Sequence, residues 1–185
     1  RLENVVYIYS FSLTFVPGLS LAFIVANSVL IRRLSYLVSV RLVAMDWMTQ
    51  RLLADYLEEG IYYRKLSEYR SEYKKKRDLV CAKLDEMKSL GIEYSKPKGG
   101  IYVWCRLPMG VDSKELNAKA YSNGISVLPG YVFYPSKNGG REYIRINFSY
   151  ESAERLSEGM DILKKSIQEC QSSNTCKPIS SPALE

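Results

Sequence analysis

Two short apolar runs, Val5 to Tyr9 and Leu21 to Ala26, open the chain, and neither alternates with polar positions. That pattern predicts strands covered on both faces rather than half-buried ones. Between them lies a loop, SFSLTFVPGLSLAF, residues 10–23, with a Ser-x-Ser pair and a Pro-Gly turn. From Ser28 to about Val43 helix and strand signals mix, and the segment reads as helical. Met45, Met48, Leu52, Tyr56 and Leu57 then recur at helical spacing, and Gly60 offers the left-handed stop. A longer helix follows, with Tyr62, Leu66, Tyr69, Tyr73, Val80, Leu84 and Met87 on one stripe before Gly91. About 28 residues of helix would span roughly 40 Å, enough to bridge two domains.

Beyond Gly91 the period shortens. Pro97, Gly99 and Gly100 make a turn, and Ile101 to Leu107 reads as a strand. Asp112 with Glu115 three residues on forms a capping box for a helix from Ser113 to Asn123, ended by Gly124. Ile125 to Leu128 reads as a short strand stopped by Pro129-Gly130. Tyr143 to Phe148 alternates strictly, placing Ile144, Ile146 and Phe148 on one face and Tyr143, Arg145 and Asn147 on the other. The last helix starts near Ser152 and carries Leu156, Met160, Leu163, Ile167 and Cys170 at intervals of four, three, four and three. This order implies an α+β fold with helices packed on a small sheet, and no internal repeat is visible.

Five stretches, SFSLTFVPGLSLAF, EEGIYYRKLSEYRSEYKKKRDLV, KPKGGIYVWCRLP, GISVLPGYVFYP and YIRINFSY, follow one another along the chain. Together they resemble the C-terminal part of fold-type I pyridoxal-phosphate (PLP) aminotransferases of class I/II. The likeness is to the branch holding 2-aminoadipate-type transaminases and GntR/MocR regulators, and it runs from Val5 to about Gln168. The resemblance implies residues 1–61 as a strand-helix remnant of the large PLP-binding domain and 62–171 as the C-terminal small domain, while the polar, Pro- and Ser-rich composition of 172–185 reads as a disordered tail.

In that family the opening loop reads G-S/T-F-S-K-T followed by P-G-L-R-L-G. The lysine forms a Schiff base with the coenzyme, and the hydroxyls and arginine hold its phosphate. Ser10, Phe11, Ser12, Thr14, Pro17, Gly18, Leu19 and Leu21 match, whereas Leu13 stands at the lysine, Ser20 at the arginine, and Tyr9 and Ala22 at the glycines. A Schiff base needs a nucleophilic amine, which leucine cannot supply. Losing the arginine removes a charge-assisted contact worth roughly 1.5–3 kcal/mol. The resemblance thus implies PLP as the family coenzyme, Ser10 and Ser12 as its remaining contacts, no covalent attachment in this chain and no catalytic lysine. It also implies that Arg145 takes the α-carboxylate of an amino acid or 2-oxo acid through a planar two-pronged contact. Homodimerisation and a cytoplasmic location are further implications. Two functions follow as expectations: an aminotransferase-like domain inactive as given, or the ligand-sensing effector domain of a GntR/MocR regulator. A truncated gene product whose small domain still folds is a third.

Composition narrows the chemistry further. With 185 residues, 46% hydrophobic and 25% charged, the chain has the profile of a folded globular protein. It contains no histidine, which excludes Ser-His-Asp triads, Cys-His dyads and histidine metal sites. Cys81, Cys105, Cys170 and Cys176 form no C-x-x-C pair and read as reduced thiols, with no metal site. A nucleophilic Cys105 would need a nearby base that its sequence neighbours do not supply. Trp104 reads as core or domain-interface packing. The net charge of +6 peaks at Lys74, Lys75, Lys76 and Arg77, but interleaved acids make this run a solvated helix face rather than a nucleic-acid contact. The apolar region from Leu13 to Ile31 is interrupted by Pro17, Gly18, Ser20, Asn27 and Ser28, too soon for a bilayer span of roughly 20 residues. The chain begins at Arg1 and ends in a Pro- and Ser-rich stretch, with Leu184 and Glu185 fitting a vector-derived end, so it reads as part of something longer.

Overall fold

A computed structural model describes residues 4–41, 46–136 and 139–174. The chain divides into two compact units, Arg1–Arg70 and Ser71–Glu185. In the first, β1 (Tyr7–Ser10) pairs antiparallel with β2 (Ala22–Val25), Tyr7 opposite Val25 and Ser10 opposite Ala22. Helices α1 (Ser28–Arg41) and α2 (Trp47–Glu58) follow. Asp46 caps α2, accepting from the Met48 and Thr49 amides and from the Thr49 hydroxyl, a cap that fixes where the helix starts. Met45, read as its first apolar position, lies outside the described residues.

The strands depart from expectation in their surroundings. They were expected to be covered on both faces, yet Ile8 is 65% exposed and every residue of β2 is exposed. Among the described residues each strand pairs only with the other, and of their side chains only that of Tyr9 is partly buried.

Helix α3 (Ile61–Glu86) begins in the first unit and ends in the second. It stops at Glu86, and a 3-10 turn, Lys88–Leu90, carries the chain to Gly91, whose φ of 95° needs a residue without Cβ. The second unit is built on a four-stranded antiparallel sheet in the order β3 (Glu93–Tyr94), β4 (Tyr102–Arg106), β6 (Tyr143–Asn147), β5 (Leu128–Pro129). Helices α4 (Ser113–Ser122) and α5 (Ala153–Asn174) complete it. The inward side chains Val103, Cys105, Ile144 and Ile146 pack with Val80 and Leu84 of α3, Met87 just beyond its end, Leu116 of α4, and Leu156, Met160, Leu163 and Ile167 of α5. The α5 stripe is therefore core-facing, as is the C-terminal half of the α3 stripe from Tyr73 on, whereas Tyr69 of the same stripe is exposed. Burial of each large apolar side chain contributes about 1.5–3 kcal/mol, which makes this sheet and its helices the stable part of the chain.

Three expectations need correction here, and one strand was not anticipated. The strand expected over Ile125 to Leu128 is β5, two residues at Leu128–Pro129. The Ile125 amide is held by the Ala120 carbonyl and the Val127 amide by Asn117 Oδ1, so neither is available to a ladder. Strand β3 escaped notice because two residues between Gly91 and Pro97 carry no period. The basic run is not wholly solvated. Lys76 is buried, its ammonium bound to Glu72 at 2.8 Å and donating to the Ser149 carbonyl at 3.1 Å, and Arg77 pairs with Asp78. Finally, α5 runs to Asn174, three residues into the stretch read as a tail. Cys176 and residues 175–185 lie outside the described residues.

Candidate functional site

In the first unit the loop between β1 and β2 is two 3-10 turns, Phe11–Leu13 and Pro17–Leu19. Ser10 caps the first, its Oγ accepting from the Ser12 amide at 3.2 Å, so the two predicted hydroxyl residues share one turn. As an acceptor there, Ser10 keeps its hydroxyl proton free to donate. The loop is closed by Phe11 N–H donating to the Leu21 carbonyl at 2.8 Å. Leu13 projects from the turn, 70% exposed. Ser20 sits at φ 49°, a left-handed conformation that favours glycine and asparagine.

Beyond Leu13 the loop is pinned by a hydroxyl cluster that the sequence did not announce. The Thr14 hydroxyl lies 3.0 Å from the Tyr62 hydroxyl and 3.2 Å from that of Tyr9, and the two phenols are 2.8 Å apart. The bond to Thr14, then that to Tyr62, lowers the Tyr9 pKa, while burial raises that of Tyr62. Phe11 packs edge-on against Tyr62 and Phe15 edge-on against Tyr56. Lys65, the one lysine in residues 1–70, lines a hollow of about 140 Å³ with Thr14, Tyr56 and Tyr62. Its ammonium binds Glu68 at 2.8 Å, which raises its pKa and keeps it protonated, the state in which it is no nucleophile.

In the second unit Arg145 lies on the open face of the sheet, as the alternation of YIRINFSY predicts, directly opposite Trp104 and Leu128. Its guanidinium stands over the Tyr102 ring at 3.9 Å and the Phe133 ring at 4.5 Å. Tyr102 shares the parity of Trp104 on β4 and was findable from the sequence. Phe133 was not, because it is set by the 3-10 turn Gly130–Phe133. That turn depends on close backbone approach: a Cβ on Gly130 would come within 2.5 Å of the Gly140 carbonyl oxygen. Trp104, expected in a core or domain interface, lies outside this unit's core, 37% exposed on this face, stacked on Tyr143 and edge-on to Phe133.

The described cysteines Cys81, Cys105 and Cys170 are buried and unbridged. Burial pushes all three thiols up, Cys105 to about 12, which keeps them protonated and unreactive. No group of described His, Cys, Asp or Glu residues could hold a metal ion. No helix among the described residues is long and apolar enough to cross a membrane.

With this geometry in view, the likeness to known proteins becomes specific. The chain is 30% identical over 166 residues to aromatic-amino-acid aminotransferase 1 of Thermococcus litoralis, covering 90% of this chain and 40% of that protein. It is 31% identical over 169 residues to an uncharacterised HTH-type transcriptional regulator of Bacillus subtilis, covering 91% of this chain and 34% of the regulator. The crystal structure of the alpha-aminoadipate aminotransferase of Thermus thermophilus, complexed with N-(5'-phosphopyridoxyl)-L-leucine, superposes with a TM-score of 0.84 at 27% identity, over 92% of this chain and 43% of that one. The chain thus spans about two fifths of the length of the aminotransferase it matches. Since the family model described as "Aminotransferase class I and II" matches residues 1–163, the chain belongs to that family.

Proposed function

We propose that this chain is the C-terminal part of an aminotransferase-like protein that binds an amino acid or 2-oxo acid without anchoring PLP covalently. The observation that carries the reading is Arg145: it stands on the open face of the sheet against the Tyr102 and Phe133 rings, no described carboxylate pairs with it, and the resemblance of YIRINFSY to the family's strand supports reading it as the carboxylate-binding arginine. A guanidinium offers two parallel N–H donors to a planar carboxylate, an arrangement lysine reproduces poorly.

The loop around Leu13 fits hydroxyl contacts to a phosphate, from Ser10 and Ser12, and does not fit a covalently held coenzyme. Leu13 has no nitrogen, Ser20 has no charge, and Lys65 is paired with Glu68 at 2.8 Å, which raises its pKa. No catalytic step is therefore assigned through PLP. The apolar faces of β1, β2 and α1 belong, in this reading, to a large domain whose remaining strands and helices would cover them. The whole protein is a cytoplasmic homodimer in the same reading.

A second reading, the ligand-sensing effector domain of a GntR/MocR-type regulator, is favoured by the 31% identity to the B. subtilis regulator. Loss of the lysine suits a sensor that binds its ligand without turning it over. A winged-helix coding sequence upstream of Arg1 would select this reading.

Titration of the chain with pyruvate, followed by NMR, tests the role of Arg145. Arg145→Gln is expected to abolish binding, and Arg145→Lys to weaken it about tenfold. Pyruvate binding unchanged in Arg145→Gln would refute the assignment.

A further inference from the structure

We infer that the open face of the second unit's sheet selects carboxylates that carry an aromatic ring, the carboxylate going to Arg145 and the ring to Trp104 and Tyr143. The inference rests on Arg145 being the carboxylate-binding arginine and adds the side-chain class. Residues 71–185 contain five arginines. Arg77 pairs with Asp78 at 2.8 Å, Arg106 with Glu93 at 3.5 Å, Arg141 with Asp112 at 3.1 Å and Arg155 with Glu151 at 3.0 Å. Arg145 is the exception among the described residues. What it has instead is rings, Tyr102 and Phe133 lying against the guanidinium at 3.9 and 4.5 Å. Ring faces satisfy the cation's faces and leave its in-plane N–H edge for an anion.

The neighbouring surface continues the apolar side of such a ligand. Trp104 sits directly opposite Arg145 in the ladder, a step of about 4.5–5.5 Å between Cβ atoms. Its ring lies 5.5 Å from Tyr143 at an interplanar angle of 24°, and Tyr143 stacks in turn on Tyr134 at 6.4 Å and 10°. Trp104, Phe133 and Tyr134 are 37–45% exposed, so ring surface remains for a further ring to cover. A ligand with two or three bonds between carboxylate and ring spans that step. A second acidic group gains nothing from β4 and β6, because Arg106, the other cation on these strands, is held by Glu93.

The probes are 3-phenylpropionate and propionate, titrated into the chain by NMR, with melting curves confirming that each variant is folded. The ring is expected to improve affinity about tenfold. Trp104→Leu should remove most of that advantage while leaving propionate unaffected, and Tyr143→Leu, as a second variant, should reduce it. Arg145→Gln should weaken both ligands. Equal affinity of the two probes for the natural chain, or an advantage that survives in both folded ring variants, would overturn the aromatic preference with Arg145 still the carboxylate site. Failure of both probes to bind would overturn Arg145 as well.

Discussion

In residues 1–70 apolar side chains meet solvent, Ile8 at 65% and Val29 at 55% exposure, whereas in residues 71–174 Val103, Ile144, Leu163 and Ile167 are at most 1% exposed. Of the 22 buried apolar side chains among the described residues, two, Leu53 and Tyr62, belong to the first region and the other twenty to the second. The two regions do not differ in having apolar sequence. They differ in whether the described chain supplies something to bury it against. A strand such as AFIV carries the composition of a doubly covered strand whether or not its covers are present. Composition reports the surroundings a segment suits, and the second region contains its own.

Core substitutions should expose this difference most strongly. Phe148→Ala removes a ring that is 1% exposed and should cost about 3–5 kcal/mol, read as a fall in the urea midpoint. Leu37→Ala, at a site 55% exposed on α1, should shift the same midpoint by about 0.5 kcal/mol or less. Comparable losses at both sites would mean that the first region has a core of its own.

A smaller, graded effect should appear at alkaline pH. Cys105, Cys81 and Cys170, all in the second region, have thiol pKa values raised by burial, Cys105 to about 12. The folded state then holds protons that the unfolded chain releases from about pH 8.5–9 upward. Stability is therefore intact below that range and declines as pH rises through it towards 12. Tyr94, its pKa pushed up by burial and by its bond to Asp85, acts in the same direction. Cys105→Val should flatten the decline by removing one contributor. An unchanged slope would show that the thiol titrates alike in both states.

How much of this was legible in the sequence also divides by region. The alternation of YIRINFSY placed Arg145 outside the core, and the stripe ending Leu163, Ile167 and Cys170 named the packing face of α5, because in each case the partner surface lies in the same chain. The capping aspartate at Asp112 was readable from local spacing alone, and its carboxylate accepts from the Lys114 amide at 2.7 Å. What escaped was set by non-local contact. Asn117 takes the Val127 amide and shortens β5. The Gly130 turn brings Phe133 to Arg145, and Thr14 meets Tyr62 across 48 positions. The loop was legible as a motif through its hydroxyls and Pro-Gly turn.

The central claim, that this chain keeps a carboxylate-reading sheet but no amine poised for the coenzyme, is tested most directly by mass spectrometry of the full chain after equimolar PLP and borohydride reduction. The account predicts an unmodified chain, with at most a trace of label scattered over its exposed lysines. A stoichiometric pyridoxyl group on a single lysine, Lys65 above all, would contradict it.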